Sequence, residues 1–366
     1  MALFLRKLKK RPKKVLVART DRIGDFILTL PVLEVLAKNG ISPSVLCRSL
    51  VTPLLENNPH IDNVITVDSP GKDVIDEIRS YAFDCLLVLV NDPTTRGLLP
   101  HLREIPVRIG PLSKPSVFFA YTHPVIQKRS HSLMNEAEYN LELLEILGLT
   151  PEEPPRPQLY FAPEEIQMFR EDFSHILVDS GQQSLIVFHQ GMAGSALNWS
   201  DENYGTLLSG LLEQGYQVVL TGHGDEEADR NLGCMNRFSP LYQGRLFDLS
   251  NALTLRQLGL LIHLSDLFIG PSTGPTHLAN AVGTNIISFY PPIQVQSTRR
   301  WGPYLSSATI FTPDVRCGQK FRCIGEKCPD FFCMDRIPPR DVLTVATELL
   351  SDSGRESGSG RNGGDA

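Results

Sequence analysis

Short apolar runs recur along the chain, and between them apolar residues return every three or four positions. The first run is Lys14 to Ala18, KVLVA. Others lie at 43–47, 63–67, 84–90, 184–189, 216–221, 267–269 and 285–289. Runs this short and continuous predict strands buried on both faces. The intervening spacing predicts helices. One covers Phe26 to Asn39, with Ile27, Leu30, Leu33 and Leu36 on one face and Gly40 as its stop. Others cover 74–80, 136–147 (closed by Gly148), 163–177, 201–214, 254–264 and 339–350, and one starts near Asp225. Strands alternating with helices predict an α/β fold of parallel sheets covered on both faces. Residues 91–133 show neither period.

A Pro-rich stretch, Thr150 to Gln158, interrupts the alternation, which then restarts. A chain of 366 residues also exceeds what one core usually serves. The pattern therefore predicts two Rossmann-like, doubly wound domains. Residues 1–13 form a basic N-terminal tail and 14–150 the first domain. Residues 151–180 are linker and helix, 181–338 the second domain and 339–352 a last helix. The Ser/Gly-rich 353–366 is expected to be disordered. Ligands of such sheets bind beyond the carboxyl ends of the strands, so a cleft between the domains is expected.

Charge changes this picture at one end. The formal net charge is −6, yet the first 14 residues carry seven bases and no acid. The acidic remainder argues against a broad nucleic-acid surface. The basic end interleaves Leu3, Phe4, Leu5 and Leu8, which fits either peripheral contact with an anionic membrane surface or a solubilising tail. No segment reads as a secretory signal or a bilayer span. The expected location is the cytoplasm, with room for peripheral attachment to the inner face of the membrane. Four of the seven cysteines crowd at Cys317, Cys323, Cys328 and Cys333, spaced by five, four and four residues. Zinc knuckles use a two-residue spacing, so a reduced, packed loop is expected and no metal.

Three loops at strand ends carry the candidate chemistry. Thr20 to Asp25 follows the first strand. Gly24 frees the backbone there, and Asp25 reads either as an N-cap, ionised by nearby N–H groups, or as a general base. His189 to Trp199 offers Gly191 and Gly194 for close approach, with Ser195 and Asn198 as hydrogen-bonding groups. His189 reads equally as a satisfied buried histidine, and Trp199 as core. The third loop runs from Gly270 to His277. A tight turn into a helix aims N–H groups at one spot, which is an anion site, or forms a plain strand–helix turn.

These residues resemble a known family. ValLeuValAlaArgThrAspArgIleGlyAsp at 15–25, running into 28–33, is similar to the amino-terminal signature of glycosyltransferase family 9, the bacterial lipopolysaccharide heptosyltransferases. ProSerThrGlyProThrHisLeuAlaAsnAlaValGlyThr at 271–284 resembles that family's carboxyl-domain signature. His189–Gly191 with Asn198-Trp199, then TrpGlyProTyr at 301–304 and CysMetAspArgIle at 333–337, follow in the family's order.

The resemblance implies a GT-B architecture with donor and acceptor on opposite domains. It implies an inverting, metal-independent transfer of heptose or a related sugar from ADP-heptose to a lipopolysaccharide core or similar glycan. Asp25 matches the family's proposed base. Thr273, Gly274, Thr276 and His277 match its diphosphate loop, and Thr221 and Gly222 a strand end near the nucleotide. Gly191, Ser195 and Asn198 complete the expected donor contacts. Arg19, Arg22, Gly24 and Arg96 are the expected acceptor contacts. The ADP-sugar is a co-substrate and no cofactor is expected. Leu197 stands where many members have Lys, and Ser272 where many have Asp. A transferase using another nucleotide-sugar and a non-catalytic nucleotide-sugar-binding protein remain open. A dinucleotide oxidoreductase does not fit, because the first strand lacks a following G-x-G-x-x-G.

Overall fold

The computed structural model describes residues 3–4, 8, 10–71, 73–112, 115–177, 183–192, 194 and 196–356. The chain divides into two compact units. Unit 1 comprises Met1–Ala162 with Arg299–Leu305, and unit 2 comprises Pro163–Thr298 with Ser306–Ala366.

Unit 1 runs β1 (Leu3–Phe4), β2 (Lys14–Ala18), α1 (Ile23–Ile27), α2 (Leu30–Lys38), β3 (Ser42–Cys47), β4 (Asn63–Thr66), α3 (Val74–Ser80) and β5 (Cys85–Val88). It continues through α4 (Pro93–Leu98), β6 (Val107–Pro111), β7 (His123–Ile126) and α5 (Glu136–Glu142). The sheet order is β1-β7-β6-β5-β2-β3-β4. Its pairs are parallel except β1 with β7. The helix predicted over Phe26–Asn39 is two helices, α1 and α2. Pro31 lacks an N–H and its ring excludes the carbonyl four residues back, so the chain breaks at Leu28–Thr29.

The segment expected to be a basic tail reaches the sheet edge. Leu3 pairs with Ile126 and Phe4 with Val125. Further on, the Leu8 N–H bonds the Ile146 carbonyl at 3.2 Å and Arg11 Nη2 bonds that of Gly148 at 3.0 Å. Residues 1, 2, 5–7 and 9 lie outside the described residues.

Strands β6 and β7 fall where no period was legible. Gly110, Pro111 and Pro124 interrupt them, and Arg108 sits buried in β6. Its Nε bonds the Ala120 carbonyl at 2.8 Å and its Nη1 that of Ile105 at 2.6 Å. A guanidinium that satisfies its neighbours' carbonyls hides a core position behind a charged letter.

Unit 2 runs α6 (Pro163–Asp172), β8 (Leu185–His189), α7 (Asp201–Glu213), β9 (Gln217–Thr221), α8 (Asp225–Phe238), β10 (Leu246–Asp248) and α9 (Leu255–His263). Then come β11 (Leu267–Pro271), α10 (Gly274–Val282), β12 (Asn285–Phe289), β13 (Thr309–Phe311) and α12 (Pro339–Glu356), while α11 (Thr298–Trp301) belongs to unit 1 from Arg299 on. The sheet is wholly parallel, in the order β10-β9-β8-β11-β12-β13. Trp199 is core, as its sequence context implied. It stacks on Phe289 with centroids 4.5 Å apart, and its Nε1 bonds the Ile337 carbonyl at 3.1 Å. Helix α12 outruns the predicted last helix, taking in the first residues of the expected tail; residues 357–366 lie outside the described residues.

Both units are doubly wound. In unit 1 the strand order reverses between β2 and β5, and in unit 2 between β8 and β11. These switch points are where parallel sheets open a crevice at their carboxyl edge.

Candidate functional site

The unit 1 switch point gathers a charged cluster. Arg19 follows β2 and is 1% exposed. Its Nε and Nη2 bond Asp21 at 2.7 and 2.9 Å, and Nη2 also bonds Asp25 Oδ1 at 2.8 Å. Its Nη1 reaches Glu136 Oε1 at 3.1 Å and Asn140 Oδ1 at 3.2 Å. Glu136, the first residue of α5, is buried and also pairs with Arg129 at 2.5 Å and Arg300 at 3.1 Å. Across the switch point, the Thr20 hydroxyl donates to Asp92 Oδ2 at 2.8 Å.

Asp25 is not an N-cap. The cap position belongs to Arg22, and Asp25 lies inside the first turn of α1. The expectation of an ordinary ionised carboxylate also fails. Burial pushes the Asp25 carboxyl up to about 7; Arg19 opposes this, and the charges of Asp21 and Glu136 add to it. Burial works on Glu136 in the same direction, but Arg129, Arg19 and Arg300 together hold it down to about 2. One carboxylate is thus fixed as an anion while its neighbour is poised near neutrality. Such a pair of separated values marks a group able to accept and release a proton.

The unit 2 switch point brings together the loops after β8, β9 and β11. Gly191 follows β8, and a Cβ there would stand 2.0 Å from the Glu227 carboxyl carbon. Glu227, in the first turn of α8, accepts the His223 N–H at 2.9 Å. Gly222 follows β9, and a Cβ there would meet Glu227 Cβ at 3.0 Å and Asn231 Nδ2 at 3.3 Å. The two glycines together let α8 bring a carboxylate against the strand ends. Asn231 is buried and bonds Gln190, the Thr221 carbonyl and Ser250.

Helix α10 starts at Gly274 with Thr273 at the cap position, and no side chain caps it. The Thr273 hydroxyl points back to the Pro271 carbonyl at 3.4 Å, and the Thr276 hydroxyl donates to the same oxygen at 2.5 Å. Its first-turn N–H groups therefore lack a side-chain acceptor, the arrangement that receives anions. His277, behind them, is buried, and its Nδ1 has no hydrogen-bond partner. Burial pushes its pKa down to about 4, so it is a neutral imidazole near pH 7.

A family model for glycosyltransferase family 9 (heptosyltransferase) matches residues 73–328. The chain belongs to glycosyltransferase family 9. It is 32% identical over 304 residues to a putative glycosyltransferase of Haemophilus influenzae, covering 80% of this chain and 86% of that protein. It is 27% identical over 348 residues to lipopolysaccharide heptosyltransferase 3 of Escherichia coli, covering 90% and 97%. The solved structure of the E. coli ADP-heptose lipopolysaccharide heptosyltransferase II superposes with a TM-score of 0.75 at 20% identity, covering 93% of this chain and 99% of that one. The two Rossmann-like units are those of the GT-B class, and the protein is a glycosyltransferase.

Within this family member several expected contacts take other places. Arg19 is buried behind Asp25 with Nε, Nη1 and Nη2 all engaged, so it orients the carboxylate instead of presenting itself to an acceptor. Arg22 is exposed, and buried Gly24 lies between it and Asp25; Arg96 is half-buried, with Nε on the Asp92 carbonyl at 3.2 Å. Asn198 is a loop staple: its Nδ2 bonds the Gln190 carbonyl at 2.8 Å, and its Oδ1 accepts from Tyr204 Oη and the Trp199 N–H. The Thr276 hydroxyl is likewise committed, which leaves its backbone N–H. Thr221 shares a hydrogen bond with His189 Nδ1 at 3.1 Å, so His189 is the satisfied buried histidine; burial lowers its pKa. Ser195 lies outside the described residues.

Glu136, Arg300 and Asn231 carry no warning in the sequence. A glutamate opening a helix usually faces water, and only the fold brings Glu136 to Arg19. Glu227 had a faint signal, in glycines placed at two adjacent strand ends. All seven cysteines are free. Among the described residues no group of His, Cys, Asp or Glu side chains is placed to hold a metal ion, and no helix is long and apolar enough to cross a membrane.

Proposed function

We propose that this glycosyltransferase moves a heptose, or a closely related sugar, from an ADP-sugar to a hydroxyl of a lipopolysaccharide core or similar glycan, with inversion. The observation that carries the reading is the Asp25 carboxyl, held by Arg19 and pushed up to about 7. A base with that value accepts a hydroxyl proton near neutral pH and gives it up again after the product leaves. In the step proposed, the acceptor O–H proton passes to Asp25, the oxygen bonds to the anomeric carbon from the face opposite the nucleotide, and the bond from that carbon to the diphosphate breaks. The departing charge is met by the first-turn N–H groups of α10 and by the neutral His277. The reading assigns that charge to the helix end and calls on no metal ion.

The ADP-heptose and lipopolysaccharide parts of the reading come from the names of the E. coli relatives. The docking of the diphosphate at Thr273, Gly274, Thr276 and His277, with Gly191, Thr221 and Gly222 lining the nucleotide side, is supported by the uncapped helix and the unpartnered His277 Nδ1. Membrane contact through residues 1–14 stays part of the proposal.

Calorimetric titration with a turnover assay tests it. ADP is expected to bind more tightly than AMP or adenosine, since the second phosphate is what the helix end holds. ADP-heptose with a core-oligosaccharide acceptor is expected to release ADP. Gly274→Val is expected to abolish nucleotide binding in a folded protein. Binding without transfer to any core acceptor would make the protein a nucleotide-sugar scaffold, and a stronger thermal shift with UDP- or GDP-sugars would replace the donor.

A further inference from the structure

Residues 316–332 of unit 2 have a chemistry the transfer reaction does not use. Phe321 is 61% exposed, Ile324 42%, Phe331 40% and Phe332 69%. They crowd into one short loop, whereas a soluble surface normally scatters such side chains singly. Phe332 has a left-handed backbone, with φ of 62°, a costly conformation for a bulky residue. Its ring lies outside, against Phe331 with centroids 4.1 Å apart. The loop also rims an apolar cavity of about 450 Å³ that reaches inward to Ile293, Val315 and Met334. Ile324, Phe331 and Phe332 line it, so the apolar surface is continuous from these three side chains to the interior.

The charge around these rings is of one predominant sign. Arg316, Lys320, Arg322 and Lys327 face two acids, Glu326 and Asp330, in a chain whose net charge is −6. Asp330 is taken up by Arg336 at 2.6 Å. Arg316, Arg322 and Lys327 are exposed, and Lys320 lies over the Phe321 ring, 5.2 Å from its centroid. Aromatic side chains among bases match a lipid interface. The rings suit the headgroup–acyl boundary, and the bases suit lipid phosphates.

We propose that the loop of residues 316–332 docks the protein on an anionic membrane surface. Phe321, Ile324, Phe331 and Phe332 enter the headgroup region, while Arg316, Arg322 and Lys327 pair with lipid phosphates. This surface is separate from the basic amino-terminal segment.

Vesicle sedimentation of the full chain tests it, with phosphatidylcholine vesicles made with and without phosphatidylglycerol. Wild type is expected to pellet only with the anionic vesicles, less so at high salt. Phe321→Ser with Phe332→Ser, and separately Arg322→Glu with Lys327→Glu, are each expected to lower partitioning by about tenfold or more. Circular dichroism and melting temperature should be unchanged, since the substituted side chains are exposed. Wild-type binding by both double variants would overturn the proposal. So would binding lost only on deleting residues 1–13, or a wild type that ignores anionic vesicles. If light scattering showed the phenylalanine variant breaking a wild-type dimer with vesicle binding intact, the patch would be a self-association surface instead.

Discussion

Asp25→Asn separates chemistry from stability in one substitution. Asn has the same shape, and its side-chain oxygen can still accept from Arg19 Nη2. In the unfolded chain the Asp25 carboxyl titrates near 3.8, and in the folded protein near 7. Because the folded value is the higher one, folding favours the protonated form. That contribution is complete below about 3.8 and is lost as pH rises through about 7. A gap of about three units corresponds to at most ~4 kcal/mol. The side chain keeps 16% of its exposure and shares the Arg19 charge. A realised cost of about 1–3 kcal/mol is therefore the reasonable figure for ionised Asp25. The neutral variant escapes that cost. It is expected to be more stable than wild type by about 1–3 kcal/mol near pH 8, with the gap closing as pH falls toward about 4. Its turnover is expected to fall by ~10²–10⁴ while ADP binding stays within a few-fold. Urea denaturation across this pH range, beside an ADP-release assay, measures both. Near wild-type turnover would remove Asp25 from the chemistry. A variant less stable than wild type near pH 8 would mean that Asp25 and Arg19 form an ordinary stabilising ion pair, and the argument from burial would be wrong.

His277→Ala is expected to weaken ADP binding by about 0.5–1.5 kcal/mol, the worth of a neutral hydrogen bond, and equally at about pH 6 and pH 8. Calorimetry at both values checks this, and a loss that changes steeply between them would show a charged imidazole. Gly191→Ala places a Cβ on the Glu227 carboxyl and should push it off the His223 N–H. ADP affinity is expected to fall by roughly tenfold with little change in melting temperature; unchanged affinity would move the donor site away from the loop after β8. Turnover is expected to survive a chelator, and elemental analysis to find no stoichiometric metal. Bound zinc whose removal unfolds the protein would show that Cys317, Cys323, Cys328 and Cys333 form a structural site.

The sequence by itself determined the strands that are buried on both faces and the helices between them, because parallel α/β units leave continuous apolar runs that need no long-range information. It also determined where Gly, Pro and short hydroxyl residues mark the loops after β2, β8 and β11, and those motifs carried the family. It could not show β6, since Arg108 satisfies carbonyls inside the core and reads as surface. Nor could it show the break at Thr29, where Pro31 turns one amphipathic pattern into two helices. The electrostatics of Asp25 were decided by tertiary structure alone. Its carboxyl titrates near 7 because folding buries it beside Arg19 and brings Glu136 to within one guanidinium of it, more than a hundred residues along the chain. A pKa depends on the charges and solvent around a group in space, and a linear pattern records neither.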